Sequence, residues 1–189
     1  PDWQLDLAGR TIPGAKSAPG HRLKMLPMDM VSYQSNGSQP PTIDTGKMAV
    51  TACISTPGLD QSRDVVMGEG IDTSIHQKNP LVLFMHKPTL PIARSFSPAT
   101  GYAVTNSGDA TLATAFFFQN SPESEQVFRL IEMGAINGAS VGIRPKAGKV
   151  KQMMGADEAP YCVIEECNLV EWSFVTFPDN PDALIVAIQ

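Results

Sequence analysis

Short apolar segments separated by turn residues dominate the chain from Lys47 onward, and they constrain the fold more than any other feature. Val, Ile, Phe and Thr are concentrated in these segments, as they are in β-strands. Five segments have this character: 48–55, 81–85, 110–118, 139–143 and 161–177. The sequence therefore predicts a β-dominated α+β domain, in which a small closed β-barrel has helices packed outside it.

One helix is expected after the third of these segments. Ser121 suits the N-cap, and Pro122 suits the first helical position, where a missing N–H costs nothing. Glu123 and Glu125 fall in the first turn, where negative charge is favourable against the helix dipole. Gly134 is a typical C-terminal stop, so the helix should end near it.

The N-terminal quarter of the chain differs from the rest. Residues 1–46 hold six of the 16 prolines, and residues 35–41 have the composition of a linker. We expect residues 1–46 to form a Pro/Gly-rich arm that the chemistry does not need, and 47–189 to form the functional domain. As an exposed terminus, the arm should be the first part removed by limited proteolysis.

Charge and composition exclude several classes of protein. The net charge of −5, from 14 basic and 19 acidic residues, argues against a dedicated nucleic-acid binder. No apolar run approaches the roughly 20 residues that span a membrane as a helix. Cys53, Cys162 and Cys167 have neither the number of a disulfide framework nor the spacing of a metal site. Free thiols are therefore expected.

Ser140 is a candidate nucleophile because small residues flank it in Gly138-Ala139-Ser140-Val141-Gly142. Glycines two positions away let a substrate backbone approach closely. The α/β-hydrolase elbow has the same pattern but needs a strand before the serine and a helix after it, which is the reverse of the order here. The local alternative is a structural serine at the start of a strand.

Two titratable residues accompany predicted strands. His86 follows the apolar segment 81–85, where an imidazole is well placed for proton transfer, although it could equally cap the strand. His76 and His21 lie in more polar, loop-like settings. Glu171 is the one carboxylate within the apolar segment 169–175, and unpaired burial would be costly. The alternative is a solvent-facing residue on an edge strand.

The period of two predicts which side chains share a face of this last strand. Glu171 should lie with Leu169, Ser173 and Val175, while Val170, Trp172 and Phe174 take the other face.

Residues 49–183 resemble the prohead maturation proteases of tailed bacteriophages, which are related to the herpesvirus assemblin serine proteases. Five blocks occur in the family's order and spacing. These are 55–60 with 64–66, 79–86 with 91–92, 131–134, 138–143, and 169–173 with 178–181. Arg63 and Ala93 depart from the pattern, since the family usually has glycine there.

The resemblance implies a serine endopeptidase with an assemblin-like barrel. Ser140 would be the nucleophile and His86 the general base. Assemblins use a second histidine as the third member, but no histidine follows Ser140, so a carboxylate would serve here. The substrates would be scaffold protein, major capsid protein and the chain itself, inside an assembling procapsid in the host cytoplasm. No metal, cofactor, membrane or specific nucleic acid is implied, and a homo-oligomer is compatible with the resemblance.

The third catalytic member is expected to be Glu171. Its neighbours are apolar, and it matches the acid of the family's Leu-x-Glu-x-Ser block. The competing acids after Ser140 are Asp157 and Glu158 in a loop, and the adjacent pair Glu165 and Glu166. A Glu171 carboxylate oxygen should then lie within hydrogen-bond reach of a His86 ring nitrogen.

Two other functions remain open at this level. The same barrel could be a catalytically inactive structural or binding module of the viral head, with residues 1–46 as a docking arm. Loss of a catalytic residue would be expected in that case, whereas plausible versions of all three are retained. A cysteine hydrolase is disfavoured because no histidine lies near Cys162 or Cys167 in the sequence.

Overall fold

The computed structural model describes residues 43–106 and 108–185. Residues 1–42 of the expected arm lie outside the described part, as does His21.

Strands hold far more of the described residues than helices do. They are Ala49–Ser55 (β1), Asp64–Val66 (β2), Ile71–Asp72 (β3), Leu81–Phe84 (β4), Pro91–Arg94 (β5), Phe96–Ser97 (β6), Gly101–Tyr102 (β7), Val104–Asn106 (β8), Thr111–Phe117 (β9), Gly138–Pro145 (β10), Val150–Met154 (β11), Pro160–Ile164 (β12) and Cys167–Val175 (β13). The α-helices are Ser74–Lys78 (α1) and Pro122–Glu132 (α2), and Gly68–Gly70 forms a 3-10 turn. Among the described residues, no helix has the length and apolar character needed to cross a membrane.

The largest sheet has eight strands and positions the candidate site. Its order is β1-β9-β5-β4-β13-β10, with β3 paired to β13 and β8 paired to β9. β13 runs antiparallel to β10 and parallel to β4. A second sheet has the order β11-β12-β2, and β6 pairs with β7.

The large sheet curls into a half-barrel. In the described part of the chain no ladder joins the edge strands β1 and β10. Single bridges instead connect Ile185 to Ala52 and Leu184 to Gly138. The predicted β-dominated α+β class is confirmed, whereas the predicted closure is not observed. Segment periodicity reveals strands but not which edges meet, because closure depends on strand tilt and stagger.

Helix α2 forms where its end signals predict. The Ser121 side chain accepts a hydrogen bond from the Ser124 backbone N–H, and Pro122 occupies the first turn. Val127, Phe128 and Ile131 are buried against the sheet. The apolar face of this helix therefore covers one side of the core.

An irregularity in β13 corrects the predicted division of its faces. Gly142 pairs with Glu171, but Ile143 pairs with Leu169, so Val170 has no residue opposite it. This bulge moves Leu169 to the core face with Trp172, while Val170 is 38% exposed. The predictions that Leu169 shares a face with Glu171, and Val170 with Trp172, are wrong because one inserted residue reverses the alternation.

The expected strand over 161–177 is also two strands in different sheets. It breaks at Glu165 and Glu166, whose carboxylates pair with lysines around the β10–β11 turn. β12 belongs to the second sheet and β13 to the first.

Candidate active site

The antiparallel pair β10–β13 brings Ser140 onto the same face as Glu171. Ser140 lies opposite Ser173, and Gly142 lies opposite Glu171. Residues directly opposite in an antiparallel pair extend their side chains to the same face, with Cβ atoms about 5 Å apart. The other face carries the buried Trp172. The polar residues therefore collect on the outer face of the sheet.

His86 reaches this face through an unusual turn after β4. Met85 and His86 both have positive φ, 55° and 54°, a region that bulky residues rarely adopt. Two hydrogen bonds to β13 support this turn. The Met85 N–H donates to the Phe174 carbonyl at 3.0 Å, and the His86 N–H donates to Ser173 Oγ at 3.1 Å. The turn thereby ties the imidazole to the strand that carries Glu171.

A continuous set of hydrogen bonds joins His86, Glu171 and Ser173. His86 Nδ1 lies 2.7 Å from Glu171 Oε1, so the contact expected between these side chains is present. Ser173 Oγ donates to Glu171 Oε2 at 2.8 Å. Since an ionised carboxylate only accepts, the His86 proton sits on Nδ1, which leaves Nε2 as an acceptor in the neutral ring. Nε2 has no hydrogen-bond partner among the described residues.

Ser173 is a site residue that sequence analysis did not single out. Its hydroxyl accepts from the His86 backbone and donates to Glu171, so it holds both groups at once. The available signal was its position two residues after Glu171, on the same face of the strand. The bulge at Val170 does not disturb that relation, since it lies before Glu171.

Gly142 provides the space that the Glu171 carboxylate occupies. A Cβ atom at residue 142 would lie 2.9 Å from Glu171 Cδ and 3.0 Å from Cγ, closer than carbon atoms pack. Any other residue at this position would displace Glu171 or its strand. Gly142, two residues after Ser140, therefore leaves room for the Glu171 carboxylate on the paired strand β13.

The electrostatics favour a basic imidazole. The hydrogen bond that His86 donates to Glu171 raises the pKa of His86 above its ordinary value. The negative charge of Glu171 adds to the rise, and partial burial opposes it. The His86 side chain is 40% exposed and that of Glu171 is 18% exposed. The pair is therefore open to an incoming ligand on the histidine side.

Ser140 and the other acids do not belong to the hydrogen-bonded set of His86, Glu171 and Ser173. No hydrogen bond links Ser140 to His86 within the described residues, and such bonds often tighten only when substrate binds. The competing acids have other partners or none: Asp157 pairs with Arg63, Glu165 with Lys151 and Glu166 with Lys149, while Glu158 forms no ion pair in the described part. Glu171 is the member of this group that contacts His86.

The setting of His76 also differs from the expected one. This residue lies in α1, is 1% exposed, and bonds through Nδ1 to the Tyr102 hydroxyl at 2.8 Å and through Nε2 to the Leu81 carbonyl at 3.1 Å. Burial lowers its pKa. The predicted polar, loop-like setting is wrong, because α1 places this histidine inward against β4.

The two buried cysteines lack the features of a nucleophile. Cys53 and Cys167 are buried, and burial raises the pKa of both thiols, that of Cys167 to about 11. A reactive cysteine requires the opposite shift. No cluster of His, Cys, Asp and Glu in the described ranges is arranged to hold a metal ion.

The comparison with protein families identifies the group to which the chain belongs. Residues 52–189 match the family described as caudovirus prohead serine protease. The match covers well over half of the sequence, and the chain is a member of this family. Membership of this family implies a serine protease of caudovirus proheads. No curated protein and no solved structure matches the chain.

Proposed function

We propose that the chain is a serine endopeptidase in which Ser140 is the nucleophile, His86 the general base and Glu171 the residue that orients His86. Its substrates are scaffold protein and major capsid protein in the procapsid, and the chain also cleaves itself. Family membership supports the reaction class, and the hydrogen bonds around His86 support the roles of the residues.

The reaction begins when Ser140 Oγ attacks a peptide carbonyl carbon and His86 Nε2 takes the hydroxyl proton. The tetrahedral intermediate collapses as the C–N bond breaks and His86 returns the proton to the leaving amine. The resulting acyl-enzyme is hydrolysed by water, which His86 deprotonates in the same way. Glu171 remains ionised throughout and stabilises the imidazolium.

One observation carries this proposal. The 2.7 Å contact between Glu171 Oε1 and His86 Nδ1 favours the tautomer that leaves Nε2 available. Glu171 lies on β13, which pairs with β10, the strand that carries Ser140. A histidine that only capped β4 would not need a carboxylate at this position. The glycine at 142, without which the carboxylate would not fit, favours the same interpretation.

The domain organisation follows from the same proposal. Residues 47–189 form the protease domain, and residues 1–46 act as an arm that directs the enzyme to scaffold or shell. Closure of the half-barrel into an assemblin-like barrel would involve Leu184 and Ile185, which bridge to β10 and β1. The enzyme acts inside the assembling procapsid in the host cytoplasm, and a homo-oligomer is compatible with that setting.

Co-expression with the scaffold and capsid proteins of the same virus tests the proposal. New protein termini should appear with the wild-type chain and be absent with Ser140→Ala, as mass spectrometry would show. Ser62→Ala, at an exposed serine, is the matched control and should give the wild-type termini. Identical termini from Ser140→Ala and wild type would instead favour an inactive head component.

A further inference from the structure

A cleft opens beside Ser140, along the free edge of β10. It encloses about 130 Å³ and lies between the end of β1, the 56–64 loop and the segment after β13. This volume suits one side chain of a polypeptide. Because Ser140 lines the cleft, a group held there would lie next to the nucleophile.

Three aspartates line this cleft without a cationic partner. Asp60, Asp64 and Asp179 are half-buried, and no ion pair with Lys, Arg or His involves them in the described residues. The basic residue nearest in sequence, Arg63, has a positive φ of 65° and turns away. Its guanidinium donates to Asp157 at 2.9 and 3.1 Å and to two backbone carbonyls, so it is fully engaged elsewhere.

The cleft walls are held in place by hydrogen bonds. Asp60 Oδ1 accepts from the Asp64 N–H at 2.7 Å, and the Gln61 N–H donates to the Asp179 carbonyl at 3.0 Å. Asn180 Nδ2 donates to the Thr56 carbonyl at 3.0 Å. The last two bonds join the two loops across the cleft. The loop backbones and the Asp60 carboxylate are therefore held in place before any ligand arrives, which reduces the entropy cost of binding.

Ser55 gives independent evidence that the cleft receives a polar group. It lines the cleft, is only 4% exposed, and its hydroxyl has no hydrogen-bond partner among the described residues. The ladder with β9 skips Ile54, and such a bulge redirects the next side chain. Because the Ser55 side chain borders the cleft and forms no hydrogen bond with other described residues, its hydroxyl is placed to accept a hydrogen bond from a ligand there.

The cleft also has an apolar lining. Ile54, Val66, Ile143 and Ile164 contribute to it. Lysine and arginine combine an apolar stem with a cationic head, so they match a cleft that is lined by both apolar and acidic side chains. Burial raises the pKa of Asp60, and the neighbouring charges of Asp179 and Asp64 add to the rise. A bound cation would relieve that repulsion.

We propose that this cleft is a specificity subsite that binds the lysine or arginine side chain of a substrate residue close to the cleaved bond. The inference rests on the proposed role of Ser140 as nucleophile. The carboxylates of Asp60, Asp64 and Asp179 contact the cation. The Ser55 hydroxyl accepts a hydrogen bond from one of the N–H groups of the cation, and the isoleucines contact the stem. A bare metal ion is a poorer match, because the described residues contain no group arranged to hold one.

Binding tests the subsite without any need for catalysis. Ser140→Ala of the full chain, labelled with ¹⁵N, would be titrated with acetyl-lysine amide and with acetyl-norleucine amide, which has a similar stem without the charge. The lysine amide should give saturable shifts at the amides of Ser55, Asp60 and Asp179. Equal shifts with norleucine, or shifts confined to other regions, would overturn the proposal.

Charge-removing variants locate the effect. Asp60→Asn and Asp179→Asn should each lower the preference for lysine over norleucine by roughly tenfold, because each removes a hydrogen bond to a charged group. Asp109→Asn makes the same change of charge at an exposed site outside the cleft and should leave the preference unchanged. An unchanged preference in both cleft variants would rule out the aspartates as the binding groups.

Cleavage of a peptide library distinguishes this proposal from the proposed function. Peptides generated by a glutamate-specific protease retain internal lysine and arginine, and their cut sites can be read by mass spectrometry. Wild type should cut with Lys or Arg at one fixed position. Cutting that depends on Ser140 without this preference would overturn the subsite alone. Lysine binding without any Ser140-dependent cutting would overturn the proposed function alone.

Discussion

Two histidines flank strand β4, and their surroundings differ in every property that matters for proton transfer. His76 is 1% exposed and both ring nitrogens are bonded, one to Tyr102 and one to the Leu81 carbonyl. The His86 side chain is 40% exposed, and only its Nδ1 is bonded within the described residues. Burial lowers the pKa of His76, whereas the Glu171 carboxylate raises that of His86.

The difference shows what distinguishes a base from a structural histidine in this fold. Both residues lie close to the same strand, so strand proximity alone does not decide the role. A base needs a free ring nitrogen, access to solvent and a partner that stabilises the protonated form. His86 meets these three conditions. His76 meets none of them, and its hydrogen bonds instead fasten α1 and β7 to the start of β4.

Replacing each histidine should give the largest contrast. We expect His86→Ala to lower kcat/KM by roughly 10⁴-fold, as for the loss of a triad base, with little change in melting temperature. His76→Gln should lower the melting temperature while kcat/KM of the folded protein stays within a few-fold of wild type. Peptide cleavage and thermal unfolding measure the two effects. Loss of activity in folded His76→Gln, with His86→Ala active, would reverse the assignment.

Glu171→Gln should have the next largest effect. The amide cannot stabilise the imidazolium, so turnover should fall by several hundredfold or more, towards the ~10⁴ known for an equivalent swap in a serine protease. The same change at Glu165 or Glu166 should cost far less, because those carboxylates pair with lysines elsewhere.

The pH profile gives a second measurement on the same variant. His86 must be neutral to accept a proton, and its pKa is raised, so the rising limb of wild-type kcat/KM should lie above the ordinary histidine value of about 6.5. In Glu171→Gln the limb should move to lower pH. A limb that does not move would show that Glu171 does not act on the base.

Gly142→Ala tests the space beside the carboxylate. The added Cβ would overlap Glu171, so we expect about 100-fold lower kcat/KM, the scale of a misplacement near 1 Å. Gly46→Ala is the control, because its Cβ would lie 3.5 Å from Asp44, an ordinary contact. Wild-type activity in Gly142→Ala would mean that the Glu171 position is not critical.

The smallest predicted effect is a loss of stability on acidification through His76. Its folded-state pKa lies below the unfolded value of about 6.5, so the unfolded state binds more protons as the pH falls. Stability should therefore decrease from pH 6.5 downward, towards the folded-state pKa. The melting temperature of His76→Gln should depend less on pH over this range, and an unchanged dependence would contradict the assignment.

The pattern of residues along the chain was sufficient for the local elements. Cap and stop signals at Ser121, Pro122 and Gly134 predicted α2, and apolar segments predicted β1, β4, β9 and β10 within a few residues. The family resemblance directed attention to Glu171, whose contact with His86 the structure contains. The catalytic roles of His86, Ser140 and Glu171 remain predictions.

Arg63 shows how one departure from the family pattern is accommodated. The family usually has glycine at this position, and Arg63 adopts a φ of 65°, in the region that favours glycine. Its side chain contacts Asp157 and the carbonyls of Ala159 and Pro160, which help to offset the conformational cost. The substitution is visible in the sequence, but only the fold explains why it is tolerated.

The sequence by itself determined the β-dominated class, the caps of α2 and the order of the polar residues along the chain. Tertiary structure decided the bulge at Val170, the break after Ile164, the burial of His76 and the open edge between β1 and β10. The physical reason is the range of the interactions. Caps and periodicity act over a few residues, whereas strand register and edge closure depend on partners that are far apart in the sequence.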